Sequence, residues 1–256
     1  MINAIDHVVI STTDLATDCG NYAAIFEATP VMETLNGQLS SALCQSKNIG
    51  IKLVASKATQ GLTELVFRSD DKAAMGRRLT RLGLAAANIT ESGEALASKI
   101  HYLPIEKSRG LPIGIRYGAT ASTRSSDGNS PSTLGLDHIV IATDQPEHTA
   151  FLFAAQLGLD LRMDLSNPDW NARLMFFRCG DAIVEIYSAL DTDKTTDKDR
   201  FFGLTWRVSD VVATRERLLG CGFEVSNIRK GRKPKTSVFT LKTGTAQVPT
   251  LFIGPA

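Results

Sequence analysis

What most constrains the fold is that the start of the chain recurs near its middle. Residues 5–10 read IDHVVI and residues 136–141 read LDHIVI, each an apolar run with a histidine, His7 or His138, in third place. The likeness continues: DHVVISTTDLATDCGNYAAIF and DHIVIATDQPEHTAFLFAAQLG both lead from an apolar strand into an amphipathic helical pattern. Short alternating runs follow in each, SALCQSKNIGIKLVAS and NARLMFFRCGDAIVEIYS, and these predict hairpin strands, with CGDA supplying turn residues.

A second strand-then-helix unit comes next on both sides, TELVFRSDDKAAMGRRLTRLGL and GLTWRVSDVVATRERLLGCGFEV. The two share a strand, an Arg, a Ser-Asp step and a helix with paired arginines. Each side closes on a proline-led strand, LPIGIRYG or VPTLFIG. The repetition predicts an α+β chain of four βαβββ units, two per half. The segment ATASTRSSDGNSPST is Ser/Thr-rich without apolar periodicity, which predicts a flexible linker over 119–134 between domains at 1–118 and 135–256.

Composition excludes more than it selects. A formal net charge of +1 gives no general pull toward nucleic acid or an anionic membrane. The four cysteines, Cys19, Cys44, Cys179 and Cys221, show no CxxC or metal-finger spacing and read as free thiols. The N-terminus lacks a signal-peptide pattern and no run approaches a membrane span, so the expectation is a cytoplasmic protein. No GxSxG elbow, Walker-type loop or strand-borne GxGxxG is present, and His101 and His148 fall in no triad-like pattern.

On LDHIVIATD, DAIVEIYS and GLTWRVSD the chain resembles the vicinal oxygen chelate superfamily. That group includes glyoxalase I, extradiol dioxygenases, methylmalonyl-CoA epimerase and bleomycin resistance proteins. The resemblance implies two tandem glyoxalase-like incomplete barrels, whose inner walls carry a divalent metal (Fe, Mn, Zn or Ni) with open positions for two substrate oxygens. It implies ligand points near the start of the first strand and in the last strand of each unit. Those points fall on His7 and Lys52, Glu64 and Ile113, His138 and Glu185, and Gly203 and Thr250. An ammonium such as that of Lys52 cannot ligate a metal.

Pairing units across the halves gathers His138, Glu185 and Glu64 as the expected metal ligands, with His7 a weaker candidate and the opposite cup degenerate. Glu185 and Glu64 are also the expected proton-transfer groups. The implied activity is a lyase or isomerase of glyoxalase type acting on a small oxygenated metabolite. A ring-cleaving dioxygenase and a metal-free small-molecule binder stay open beside it. The substrate-binding candidates are Arg232 and Lys233 in the basic run IRKGRKPKTSVF, with Arg109, Trp206 and Arg173; Phe177 is a weaker one. The basic run suits an anionic substrate as a lid, or is simply a solvated loop. Trp206 and Arg207 alternate on their strand, so one of them is expected to face the cup. The expected partners are a small molecule and no nucleic acid or membrane, in a monomer or homodimer.

Overall fold

The computed structural model describes residues 1–85, 89–90, 100–118, 133–191, 196 and 198–256. The linker expected at 119–134 lies outside the described residues, except that Thr133 and Leu134 open a strand. The four units form as the repeat requires. The first comprises β1 (Ile2–Thr12), α1 (Leu15–Phe26), β2 (Val31–Leu35), β3 (Gln38–Gln45) and β4 (Gly50–Ala55). The second comprises β5 (Gly61–Ser69), α2 (Lys72–Arg81), β6 (Ile89–Thr90), β7 (Ile100–Tyr102) and β8 (Ile113–Tyr117).

In the third, β9 (Thr133–Ala142) leads into α3 (Pro146–Ala150), which continues as a π-helical segment over Phe151–Gln156. Strands β10 (Asp160–Asn167), β11 (Ala172–Cys179) and β12 (Ala182–Ala189) follow. The fourth comprises β13 (Arg200–Val208), α4 (Val211–Gly220), β14 (Arg229–Lys230), β15 (Thr236–Leu241) and β16 (Thr250–Pro255). In every unit the last three strands run antiparallel, and the last returns parallel to the first: β1 with β4, β5 with β8, β9 with β12, β13 with β16. This is the tandem βαβββ fold of glyoxalase-like proteins.

Local chemistry explains the repetition. Asp14, Asp71 and Asp210 each cap a helix by accepting from the backbone N–H three residues on, at 3.1, 2.8 and 2.9 Å. In the third unit Gln145 holds that place without a side-chain cap, and Pro146 starts the helix. The β2–β3 hairpin turns on Asn36-Gly37, both at positive φ (52° and 77°), the pairing that two-residue hairpins favour. No helix among the described residues is long and apolar enough to cross a membrane.

Contacts group the chain into two compact units, and each draws on both halves. One comprises Met1–Asp6, Glu64–Thr120 and His138–Phe202, so it holds most of the second and third βαβββ units. Its core runs through Phe67, Phe153 and Phe177, with ring centroids 6.4 and 6.1 Å apart. Arg78 of α2 donates to the carbonyls of Gln156 (2.8 Å) and Ala155, the end of the helical segment after α3. Those carbonyls have no intrahelical partner, and a cation there is favourable.

The same unit contains a buried ion pair, Arg109 Nε to Asp199 Oδ2 at 3.0 Å, with the Asp199 side chain fully covered. Thr149 also donates to that oxygen at 2.7 Å. Gly110, at φ 81°, packs against the Lys198 stem, where a Cβ would meet Lys198 Cγ at 3.1 Å.

The other unit comprises His7–Thr63, Ala121–Asp137 and Gly203–Ala256. Here Arg217 of α4 donates to the carbonyls of Ala24 (2.7 Å) and Ile25 (3.0 Å) at the end of α1. Phe26 meets Trp206 edge-on at 4.6 Å, and Phe239 stacks on Phe252 at 5.0 Å.

Two substitutions test this packing. Trp206→Ala removes a side chain only 1% exposed and is expected to cost about 3–5 kcal/mol in urea unfolding. Arg109→Ala strands the buried Asp199 carboxylate and is expected to cost about 3–5 kcal/mol, read as a lowered urea midpoint. An unchanged midpoint in the second case would show that Arg109 does not hold the fold.

Candidate functional site

Burial alternates sharply on the strands that carry His138 and Glu185. Phe177 and Met175 on β11, Val184 and Ile186 on β12, and Ile139 and Ile141 on β9 are all 1% exposed or less. That face is core. The opposite face holds Phe176, Ile183, Glu185, Tyr187, His138 and Val140, of which only Glu185 is buried, at 8% exposed. One side of the sheet is therefore sealed and the other half-open, which follows from the two-residue period of a strand.

On the half-open face Glu185 lies opposite Val140, two residues beyond His138, and the side chains meet diagonally. His138 Nε2 is 3.3 Å from Glu185 Oε2. The structure thus brings together the two residues of the third unit that the resemblance marks. A nitrogen and an oxygen at this separation can exchange a proton or share a cation.

Pairing register defines the corresponding points elsewhere. His7, Glu64, His138 and Gly203 each stand seven residues before the N-cap position of the following helix, Asp14, Asp71, Gln145 or Asp210. Glu185 lies beside the residue two beyond His138, and the same step leads to Lys52, Gly114 and Leu251. For the second and fourth units the closing points are thus one residue on from Ile113 and Thr250.

At the second point Glu64 accepts a 2.6 Å hydrogen bond from the Tyr102 hydroxyl, and the Tyr102 ring leans over Gly114, where a Cβ would meet it at 3.2 Å. Burial, and then the Glu64 carboxylate, push the Tyr102 phenol above the ordinary tyrosine range. At the first point Lys52 is 3.7 Å from Glu33, which also accepts from Ser41, and His7 lies two positions along on the same face. At the fourth, Gly203 packs so closely on the Pro249 carbonyl that a Cβ would come within 2.5 Å.

Catalytic centres of the expected metals use three protein ligands with positions left open. His138 and Glu185 supply two. Among the described residues no three His, Cys, Asp or Glu side chains form a group able to hold a metal ion. Glu64 lies in the same compact unit as the dyad but directs its carboxylate to Tyr102. The described residues therefore do not fit a three-ligand metal centre.

The substrate-binding candidates fall in different places. Arg109 is engaged by Asp199, as described above. Arg173 is clamped by Asp164, at 2.9 and 2.8 Å, and by Glu147; these hydrogen bonds hold both carboxyls below their ordinary range. Trp206 is core rather than a substrate wall, and Arg207 takes the strand face shared with Gly203. Arg232 and Lys233 are exposed between β14 and β15. Phe177 is sealed in the core, and its neighbour Phe176 occupies the dyad face instead. Phe176 and Tyr102 are the site residues that sequence reasoning missed. The alternation in ARLMFFRC carries the signal for Phe176, whereas Tyr102 needs the non-local β7–β8 register.

Residues 137–239 match the family model described as Glyoxalase/Bleomycin resistance protein/Dioxygenase superfamily. No curated protein sequence matches the chain significantly. Among solved structures the chain is similar to a Mn(II)-bound glyoxalase from Novosphingobium aromaticivorans (14% identity, TM-score 0.74, 99% of this chain and 82% of that one). It is also similar to a mutant 4-hydroxymandelate synthase from Streptomyces coelicolor (14%, 0.73, 99% and 93%). A catechol 2,3-dioxygenase compares equally well (16%, 0.71, 100% and 94%). At these identities the structural likeness is one of fold and not of reaction. The chain thus has the fold of these structures along its length, and its likeness to the superfamily model covers residues 137–239.

Proposed function

We propose that the protein is a small-molecule enzyme of lyase or isomerase type whose working pair is His138 and Glu185. The observation that carries this reading is their 3.3 Å approach on the half-open face of the third unit. Glu185 accepts a proton from the carbon beside a substrate carbonyl. His138, within reach of the same carboxylate oxygen, relays that proton back to the neighbouring carbon or to an oxygen. Proton transfer by a positioned pair of this kind contributes roughly 10²–10⁴-fold.

A divalent ion would take His138 Nε2 and Glu185 Oε2 as donors and would supply Lewis-acid stabilisation of the developing negative charge. The described residues group no third ligand with them, so no step is derived through an ion. A metal-free binding protein is the second reading, favoured by the Lys52–Glu33 pair and by Gly203 at two of the equivalent points.

Solvent-deuterium exchange beside the carbonyl of hydroxy-ketones separates the readings. The wild type is expected to catalyse exchange, and Glu185→Gln to lose at least about 100-fold of the rate. Tight ligand binding without exchange would favour the binding protein. Elemental analysis after chelator-free purification tests Glu64: metal lost in both Glu185→Ala and Glu64→Ala would return Glu64 to the ligand set.

The Tyr102–Glu64 contact predicts a pH effect. The folded chain keeps the phenolic proton above about pH 10, where an unfolded tyrosine releases it. The folded state therefore binds more protons there, and its stability falls as pH rises past that point. Ultraviolet titration of tyrosinate should show Tyr102 ionising late together with the buried Tyr22 and the half-buried Tyr117, and Glu64→Gln should move one of these late titrations back toward the ordinary value.

A further inference from the structure

The near-zero net charge of the chain hides a segregation. Residues 225–256 contain six cations, Arg229, Lys230, Arg232, Lys233, Lys235 and Lys242, and no Asp or Glu. The residues before them hold the other 22 Lys and Arg against all 27 Asp and Glu. Five of the six cations fall on the β14–β15 hairpin, and all five are exposed. Among the described residues no carboxylate pairs with Lys230, Lys233 or Lys235.

Backbone bonds hold the hairpin in shape. The Gly231 N–H donates to the Thr236 carbonyl at 2.8 Å, and the Ala256 N–H donates to the Lys235 carbonyl at 3.2 Å. The Thr236 hydroxyl donates to the Lys233 carbonyl at 2.6 Å. Gly231 is buried, and a Cβ there would collide with that hydroxyl. Lys235 turns the chain at φ 59°. With the loop backbone already fixed, presenting its side chains to a partner costs little further ordering.

The cations do not converge. Arg229 pairs with Val238 and Lys230 with Ser237, so the two side chains leave opposite faces of the hairpin. A small anion needs donors aimed at one point, whereas a lipid headgroup layer entered tip first surrounds both faces with phosphates. Ile228, 37% exposed, and the exposed Pro234 set apolar groups among the cations, and these gain by entering the headgroup boundary. A nucleic acid would use neither, and residues 227–236 include no aromatic side chain to stack on its bases.

We infer that the β14–β15 hairpin docks the protein reversibly on an anionic lipid surface. The attachment is peripheral, each cation near the surface contributing about fivefold to partitioning, and salt weakens it. It goes beyond the proposed reaction and does not depend on His138 or Glu185.

Sedimentation of the full chain with vesicles tests it. Phosphatidylcholine vesicles carrying about 30% phosphatidylserine should pellet the protein at about 0.1 M salt and release it at about 0.5 M, and phosphatidylcholine alone should not pellet it. Lys230→Gln with Lys233→Gln should weaken binding at least about tenfold. Lys57→Gln with Lys72→Gln removes the same charge from exposed lysines elsewhere and should leave binding unchanged. Circular dichroism checks that both double variants fold. Glycerophosphoserine, the headgroup without its chains, should not compete at equal headgroup concentration.

Failure to pellet with phosphatidylserine, equal pelleting with phosphatidylcholine alone, or an equal loss in both double variants would overturn the inference. Release by glycerophosphoserine would overturn it in favour of a small-anion site. Tighter binding to a duplex DNA than to the vesicles would overturn it in favour of a nucleic acid.

Discussion

An arginine laid across the last carbonyls of a helix from the other half is the contact on which each compact unit depends. Arg78 reaches the end of the segment after α3, and Arg217 reaches the end of α1. Each arginine stands seven residues beyond the aspartate that caps its own helix. Both supply donors to carbonyls that the helix leaves unsatisfied, in the direction the helix dipole favours. Around these contacts the cores assemble, Phe67 on Phe153 in one unit and Phe26 on Trp206 in the other.

Within that shared frame the four corresponding points have diverged in chemistry. One holds an imidazole and a carboxylate, one a carboxylate tied to a tyrosine, one a histidine with a lysine, and one a glycine. Strand alternation keeps the divergence local. Residues on the sealed face must stay apolar for the core, while those on the half-open face are less constrained by packing. Phe176, Val140, Ile183 and Tyr187 can thus vary without disturbing Phe177, Met175 or Val184 behind them.

Most of the architecture was legible in the sequence because it rests on local signals: apolar strands, aspartate caps and the recurrence of both. The His138–Glu185 pair was legible through the family resemblance, since both residues lie in one βαβββ unit at points fixed by a parallel pairing. What escaped were features set by distant partners. The arginine pairs were visible in the helices, but the carbonyls they reach lie more than seventy residues away. Arg109 reads as a substrate binder although its guanidinium is paired with Asp199, and Glu64 reads as a ligand although it accepts from Tyr102. Trp206 and Phe177 were off by one position on alternating strands, where a single step exchanges core for open face.

The two arginine clamps also bear on how such a chain could arise. Each half carries one donor arginine and one helix end, and neither satisfies the other within its own half: Arg78 serves the second half and Arg217 the first. Two identical copies of one half, meeting by a twofold exchange, would satisfy both at once. The chain therefore has the form of two like halves, each of which completes a helix end in the other. Within one chain the two halves need not be identical: His138 meets Glu185 in one, while His7 shares a strand face with Lys52 in the other.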